Sequence, residues 1–392
     1  MNRALQHDPG VLPWRPLLAV IACISVVGLA LGLTIPLVSL VLETRGVDST
    51  GIGLLSAMPA LAILLCSALV PPLVARIGAR AALYLGILVC AGSTLALPVS
   101  DCYAWWLLLR FAMGAATGVL FTVSESWINQ LAAERHRGKL VALYATMLAL
   151  CMALGPALIG LTGHAGALPF VVAAAILGSA ALPLALLGCT SAAPLGIGGR
   201  SAFGVTGFVR LAPVLCAAVM LFAYWDGMTL AMLPLFGLDY GYAPAEAALM
   251  VTALIAGNIV LQLPIGWLAD HLDRGRLLVA CGFAALAGAL ALPLVASTPW
   301  LLWPTLVLAG AAAGGLYTLA IILVGQRYRG AELVAANAAI GMLWGLGSLL
   351  GPLSAGLAMR GLSADGLPAA LALATALFLA LCWRRSAADT TG

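Results

Sequence analysis

Three charged side chains fall within long apolar stretches of this chain: Arg110, Glu125 and Asp226. A charge near the middle of a lipid bilayer costs at least about 2.5–3.5 kcal/mol, so an intramembrane charge is a functional hypothesis by default. A carboxylate can bind a proton or a cation, whereas an arginine stays protonated and offers a fixed positive partner to an anion. These three residues are the first candidates for the chemistry of this protein.

Arg110 and Glu125 lie on one face of a predicted helix. With about 100° per residue and Arg110 placed at 0°, Glu125 lies near 60°. The same face, between about 40° and 120°, also carries small and polar residues, namely Gly114, Gly118, Thr122 and Asn129. Asp226 follows an aromatic pair in the sequence Tyr224-Trp225-Asp226-Gly227.

An internal duplication lets the chain act as its own control. Gly114-Ala-Ala-Thr-Gly118 recurs 196 positions later as Gly310-Ala-Ala-Ala-Gly314, and Gly155-Pro156 recurs at the same offset as Gly351-Pro352. Such repetition of a whole half is typical of transporters with two-fold internal symmetry.

The charges do not repeat. The positions 196 residues after Arg110 and Glu125 hold Leu306 and Ile321, and the first-half counterpart of Asp226 is Gly28. Small residues repeat because both halves need close helix packing. Charges present in one half only indicate a site.

Composition places these residues in a membrane. Charged residues are 8% of the chain and hydrophobic residues 63%, against roughly 25% and 45–50% in soluble domains. Twelve apolar stretches are long enough to cross a hydrocarbon core of about 30 Å, and helices satisfy their own backbone there. The predicted spans are 17–42, 51–74, 81–99, 104–131, 139–162, 167–188, 211–237, 247–269, 277–296, 300–325, 333–358 and 368–383.

Basic residues predict the orientation. With the N-terminus inside, the even-numbered connections and both tails carry 15 of the 18 Lys and Arg residues. The positive-inside rule then puts both termini in the cytoplasm, and we expect a multi-pass protein of a bacterial inner membrane.

The longest connection, 189–210, is rich in Gly, Ser and Pro and predicts a flexible cytoplasmic linker. It separates an N-terminal six-helix half, 1–188, from a C-terminal half, 211–392. Internal prolines predict kinks at Pro36, Pro59, Pro156, Pro234, Pro264 and Pro352.

Several motifs resemble those of the major facilitator superfamily. The segment 266–274, Gly-Trp-Leu-Ala-Asp-His-Leu-Asp-Arg, looks like its G-x-L-A-D-R-x-G-R motif, with His for the first Arg and Asp for the Gly. Its counterpart in 71–80 keeps Arg, Gly and Arg but has Ala75 where Asp belongs. Arg110-x-x-x-Gly114-x-x-x-Gly118 is similar to the Arg/Gly motif of the fourth helix. Gly155-Pro156 is similar to the antiporter motif of the fifth, although only Gly160 follows it.

Three further segments are similar to the YcaD-like branch of small bacterial members: Glu125-Ser126-Trp127, Arg137-Gly138-Lys139 and 333–337, Leu-Val-Ala-Ala-Asn. The resemblance covers the whole chain. It implies an all-α membrane protein of twelve helices, arranged as two pseudo-symmetric six-helix bundles.

The resemblance also implies that helices 1, 4, 7 and 10 line one cavity, which would hold Asp226, Glu125 and Arg110 for proton coupling or substrate binding. Asn258 and Gln262 share a face of helix 8 and could bind substrate, but hydrogen bonding between helices is the favoured interpretation. For Tyr144, Tyr317, Asn337 and Trp344 the alternative is plain packing. The weaker cavity candidates are Phe222, Tyr224, Thr229, Thr122, Asn129, Asn258, Gln262, Tyr144, Tyr317, Asn337 and Trp344.

A second set of charges predicts a cytoplasmic gate between the halves, with contacts that break when the protein opens inward. The alternative is that these charges only set topology. The gate candidates are Asp270, Arg274, Arg76, Arg80, Arg137 and Glu332.

The sequence has no metal-ligand cluster, no nucleophile elbow and no phosphate-binding loop, so we expect neither an enzyme nor a cofactor. An ion gradient must then supply the driving force. We expect a secondary transporter of a small organic solute, functional as a monomer, that works by proton-coupled export. Two alternatives remain open: a proton-coupled importer of a sugar or metabolite, and a membrane receptor that kept the fold and lost transport.

Overall fold

The computed structural model describes residues 14–131, 137–186, 205–328 and 330–391, and within these ranges the regular structure is helical throughout. The helices are α1 Trp14–Thr44, α2 Ser49–Cys66, α3 Val70–Ile77, α4 Ala79–Ala96, α5 Tyr103–Leu131, α6 Arg137–Leu154, α7 Ile159–Thr162, α8 Leu168–Ser179, α9 Ala181–Leu186, α10 Val205–Leu211, α11 Pro213–Asp239, α12 Pro244–His271, α13 Arg274–Val295, α14 Pro299–Arg327, α15 Gly330–Leu362 and α16 Gly366–Thr391.

Eleven helical stretches in the described ranges are long and apolar enough to cross a membrane. The last of them, Ala335–Arg385, contains two helices, α15 and α16, which follow each other through the 3₁₀ turn Ser363–Asp365. Counted as helices, the crossings agree with the twelve that the sequence predicts. The second is α2 with α3, the fifth α6 with α7, and the sixth α8 with α9.

Only one of the six prolines predicted to kink a helix changes the helix type. The α-helix is unbroken at the other five, Pro36, Pro59, Pro234, Pro264 and Pro352. At Pro156 the helix tightens to the 3₁₀ turn Pro156–Leu158. A further break separates α2 from α3 at Ser67–Leu69, just before Pro71-Pro72, which lack backbone N–H donors.

The repeated glycines make equivalent contacts in the two bundles. Gly155 lies against Gly32 and Leu33 of α1, and Gly351 lies against Tyr224 and Met228 of α11. The Gly-Pro element therefore brings α6 against α1 and α15 against α11 at backbone distance, which only a residue without a side chain allows. The repeated Gly-Pro element therefore serves helix packing in both bundles.

The two bundles pack against each other at the end where the chain passes from α1 to α2 and from α11 to α12; we call this the closed end. At this end one buried apolar cluster contains residues of both bundles. The first bundle contributes residues near the closed end, including Leu33, Leu42 and Trp106. The opposite part of the first bundle has a separate cluster, including Leu17, Trp127 and Leu184, that contains no buried residue of the second. The opposite end of the described structure is therefore open between the bundles, and we call it the open end.

Polar contacts reinforce the closed end. The hydroxyls of Ser49 and Thr50 on α2 both donate to the carbonyl oxygen of Gly356 on α15, at 3.0 and 3.4 Å. At the other interface between the bundles, Thr252 on α12 donates to the carbonyl oxygen of Ala153 on α6 at 2.7 Å.

The end of the predicted linker is ordered as a helix. Residues 189–204 lie outside the described ranges, and α10 occupies 205–211. Phe208 is fully buried and its ring packs against Tyr328, with centroids 5.3 Å apart. The linker is therefore anchored to the second bundle just before α11 begins. The proposed domain limits at 188 and 211 stay a prediction.

Candidate functional site

Asp226 lies at the middle of α11, thirteen residues from Pro213 and thirteen from Asp239. At about 1.5 Å per residue this is about 20 Å from either end of the helix. Its side chain is half-buried, and its carboxylate has no hydrogen-bond or ion-pair partner among the described residues. A carboxylate left unpartnered at this depth is able to bind a proton or a cation.

The neighbours of Asp226 in the sequence are fixed to other helices. Gly227 lies against Ser348 of α15, and the indole N–H of Trp225 donates to the hydroxyl of Thr375 on α16 at 3.1 Å. Phe222, one turn before Asp226 on the same face, stacks on Tyr317 of α14 with ring centroids 5.0 Å apart. The packing of α11 on α15 and α16 thus holds Asp226 on the helix face that carries the Phe222–Tyr317 pair, one turn away.

Glu125 approaches the same wall from the first bundle. Its side chain is exposed to solvent, and its charge lies within electrostatic range of the Tyr144 and Tyr317 hydroxyls. Tyr144 is buried, and its hydroxyl lies 2.9 Å from that of Ser124. Tyr317 therefore links the surroundings of Glu125 to Phe222 and the Asp226 face of α11.

Arg110 lies apart from this wall. It is seven residues from the start of α5 and fifteen from Glu125, about 22 Å along the helix. The side chain is 2% exposed, and its Nε atom has no hydrogen-bond partner in the described part of the chain. One turn later, Gly114 lies against Pro59 of α2, which holds this part of α5 within the first bundle. The structure brings Glu125 near the wall that carries Asp226 but pairs neither carboxylate with Arg110.

Several weaker candidates hold helices together. The Gln262 amide donates to the Thr318 hydroxyl at 2.9 Å, joining α12 to α14, and Asn258 packs against Gly314 between the same helices. The Tyr224 hydroxyl lies 2.6 Å from that of Ser354, joining α11 to α15.

The hydroxyl of Thr229 is also used within the protein, since it donates to the Trp225 carbonyl oxygen at 2.7 Å. Thr122 and Trp344 are half-buried and Asn337 is exposed. The side chain of Asn129 lies outside the described part of the chain.

The predicted gate residues lie at the open end. Arg274 pairs with Asp270 of its own segment at 3.4 Å, and its Nε donates to the Ala269 carbonyl oxygen at 2.8 Å. Arg76 and Glu332 are exposed, and no ion pair between described residues joins either of them or Asp270 to the other bundle.

Arg80 is exposed, with its guanidinium 5.7 Å from the centroid of the Tyr84 ring. The side chain of Arg137 falls outside the described residues. A gate that closes in another conformation therefore stays a prediction.

Sequence reasoning missed the contacts between the bundles at the closed end. The signal was available in Gly356, which lies 196 residues after Gly160. Both glycines lie between the bundles, Gly356 against Ser49 and Thr50, and Gly160 near Ala245 of α12. A glycine repeated at the interface of two halves marks a close approach that a sequence pattern alone cannot assign to a partner helix.

A polar pocket of about 630 Å³ accompanies this closed end. Four carboxylates from both bundles line it, those of Glu43, Asp48, Asp239 and Asp365. Asp365 accepts a hydrogen bond from the Tyr240 hydroxyl at 2.7 Å. Burial, followed by the hydrogen bond and charge of Asp365, raises the pKa of Tyr240 to about 12.

Comparison with known proteins agrees with this architecture. The chain is 24% identical over 353 residues to the MFS-type transporter YfkF of Bacillus subtilis, covering 86% of this chain and 87% of YfkF. It is 27% identical over 342 residues to the MFS-type transporter YcaD of Escherichia fergusonii, again covering 86% and 87%.

One similar solved structure is that of a bacterial homologue of the human lysosomal transporter Spinster, in an inward-facing and occupied conformation. It superposes with a TM-score of 0.77 at 17% identity, over 95% of this chain and 96% of that one. The nucleoside transporter NupG gives 0.78 at 13% identity, over 95% and 99%. These likenesses establish the fold.

The family model of the Major Facilitator Superfamily matches residues 20–225 and 214–391, nearly the whole chain. The family and its transporter relatives support secondary transport of a solute across a membrane, and they point to a transporter instead of an enzyme. The chain therefore belongs to the Major Facilitator Superfamily.

Proposed function

We propose that this transporter exports a small organic solute in exchange for protons and that Asp226 is the principal proton-binding residue. The observation that carries the proposal is the Asp226 carboxylate at the middle of α11, which has no hydrogen-bond or ion-pair partner among the described residues. A side chain that carries a charge at this depth needs a proton, a cation or a ligand as partner. Exchange of these partners at one site is the simplest way to couple two fluxes.

Glu125 is proposed as a second protonatable group on the route to the open end. Support comes from its exposure and from Tyr317, which lies between its surroundings and the Asp226 face. Phe222 and Tyr317 would supply the aromatic wall for the apolar part of the solute. Export is proposed from the Arg110 motif, which is similar to the Arg/Gly motif of the superfamily's fourth helix. The Gly-Pro element adds no support for a direction, because its two copies make equivalent packing contacts.

We further propose that the closed end faces away from the cytoplasm, in a bacterial inner membrane and with both termini cytoplasmic. The distribution of Lys and Arg supports this orientation, since 15 of 18 lie on the side of the open end or in the tails. The working unit is proposed to be a monomer.

The test begins with thermal unfolding of the purified protein against sugars, amino acids, organic anions and cationic amphiphiles. A ligand at 100 times its Kd stabilises the native state by about 2.7 kcal/mol, a shift that is easily measured. Each stabilising solute is then loaded into proteoliposomes, and its flux is followed with and without an imposed pH gradient. Wild type is compared with Asp226→Asn and with Asp239→Asn, a matched change at the exposed end of the same helix.

We expect solute flux against its gradient when protons move the opposite way, loss of this flux in Asp226→Asn, and little change in Asp239→Asn. Solute that moves in the same direction as protons would instead establish the importer. Gradient-driven flux that persists in Asp226→Asn would move the proton site to Glu125. A protein whose stability and flux respond to no solute, in wild type and variants alike, would favour the receptor.

A further inference from the structure

A groove of about 600 Å³ runs along the first bundle between α2 and α3, α4 and α5. Its floor is made of small residues, among them Ala82, Gly86 and Ala115, and its rim carries the exposed side chains of Leu69 and Leu85. Arg76 lines the groove at the end where α3 terminates.

The groove exists because the second membrane crossing is broken. α2 stops at Cys66, a 3₁₀ turn follows, and α3 restarts at Val70 before two prolines. The equivalent crossing of the second bundle, α12, runs without a break from Pro244 to His271. The duplication gives a second contrast, since the positions 196 residues after Ala82 and Ala112 hold the larger side chains of Leu278 and Leu308.

The groove opens away from the central wall. On α5, with Arg110 at 0° and about 100° per residue, Ala112, Ala115 and Val119 lie near 200°, 140° and 180°. The wall residue Glu125 lies near 60° on the same scale. The groove is therefore on the back of α5, where the solvent of a membrane-spanning bundle is lipid.

The shape and charge of the groove fit one kind of lipid. Between Val119, at the Arg76 end, and Ala112 the groove extends over seven residues of α5, about 10 Å along the helix axis. Arg76 is exposed and forms no hydrogen bond or ion pair with the described residues. The sequence contains no Asp or Glu from 49 to 100, so α2, α3 and α4 carry no carboxylate that competes for that guanidinium. The only carboxylate of α5, that of Glu125, lies near 60°, away from the groove face of that helix.

We propose that this groove binds one anionic phospholipid, with an acyl chain between Leu69 and Leu85 and the headgroup phosphate at Arg76. The apolar lining holds the chain but does not select among lipids, because lipid tails already surround the protein. Selectivity comes from the headgroup, since a basic side chain near the membrane surface attracts anionic lipid by about fivefold, or about 1 kcal/mol. The site uses none of Asp226, Glu125, Phe222 and Tyr317, the residues proposed for the transport chemistry, although Arg76 is also a gate candidate.

Native mass spectrometry of the purified full-length protein tests the proposal. The protein is equilibrated in detergent with equal amounts of phosphatidylglycerol and phosphatidylcholine, and the retained lipids are counted. We expect wild type to retain phosphatidylglycerol about fivefold over phosphatidylcholine. Arg76→Gln should reduce the ratio to about one, and Arg76→Lys should restore it.

Two further variants separate the groove from the charge. Ala115→Phe fills the groove and should abolish retention of both lipids while leaving Arg76 in place. Arg360→Gln removes an exposed arginine at the closed end and should leave the ratio unchanged. Size-exclusion and thermal unfolding profiles establish that each variant is folded. The proposal is overturned if wild type retains the two lipids equally. It is also overturned if folded Arg76→Gln keeps the wild-type ratio, or if folded Ala115→Phe retains as much lipid as wild type.

Discussion

The closed end depends on glycines that allow α2 and α15 to touch through their backbones. A methyl group at position 53 would lie 3.2 Å from the Cα atom of Gly356 and closer still to the Pro352 carbonyl oxygen. Both neighbours are backbone atoms that cannot rotate away, so Gly53→Ala must push the two helices apart. The separation stretches the hydrogen bonds from Ser49 and Thr50 to Gly356, now 3.0 and 3.4 Å long.

The size of the effect follows from these two bonds. A net contribution of about 0.5–1 kcal/mol each gives about 1–2 kcal/mol in favour of the closed end. Their loss should therefore raise the ratio of open to closed molecules at this end by about 5–30-fold. Gly341→Ala is the matched control, because Gly341 lies on α15, the helix that Gly53 contacts, and no atom lies within 4 Å of the position its Cβ would take.

Single-molecule energy transfer measures the ratio. Dyes are placed on exposed residues of the two bundles near the closed end, Val99 and Leu362, after the nine native cysteines are replaced by alanine. We expect Gly53→Ala to populate a longer dye separation and Gly341→Ala to match the parent. A parent-like distribution in Gly53→Ala, or an equal shift in Gly341→Ala, would refute the reasoning that backbone contact sets this equilibrium.

Three other predictions follow from particular contacts. Arg110→Met should raise the free energy of unfolding by about 1–3 kcal/mol while lowering transport, because it removes a buried Nε atom that has no hydrogen-bond partner among the described residues. A loss of stability in denaturant unfolding would instead reveal native partners. Gln262→Leu should lower stability by about 0.6 kcal/mol through loss of its bond to Thr318, with flux unchanged in proteoliposomes; a large loss of flux would return Gln262 to the substrate site. Tyr240→Phe should cost about 1 kcal/mol through its bond to Asp365. The pKa of Tyr240 is raised to about 12 in the folded protein, against about 10 for an ordinary tyrosine. The stability that Tyr240 contributes should therefore be complete below about pH 10 and lost as the pH rises towards 12. Thermal unfolding of Tyr240→Phe should lack this pH dependence.

The sequence predicts the architecture well because lipid leaves few alternatives. Each long apolar stretch must satisfy its own backbone as a helix, so the twelve crossings follow from hydropathy and length. The repeated glycines similarly predict close packing in both bundles, as Gly155 and Gly351 confirm. Composition could not locate the break between α2 and α3 or the helix at Val205–Leu211, since both arise from local contacts within an apolar or linker sequence.

The candidate site was only partly predictable. A helical wheel assigns a residue to a face, but the neighbour of that face is decided by the bundle. Asn258 and Gln262 share a face, and hydrogen bonding between helices is the interpretation favoured from the sequence. The structure shows such a bond for Gln262, to Thr318 of α14, whereas Asn258 packs against Gly314 of the same helix. Arg110 and Glu125 also share a face, but they lie about 22 Å apart along α5 and so cannot form one small site.

The sequence by itself determined that this is a membrane protein of two duplicated halves with three charges inside its spans. The cost of charge and of unpaired backbone in lipid is large enough to be read residue by residue. Only the tertiary structure decided which end is closed, that Asp226 has no partner among the described residues beside the Phe222–Tyr317 pair, and that the back of α5 holds a groove. Those properties depend on which helices touch, and many weak packing contacts between distant segments determine that together.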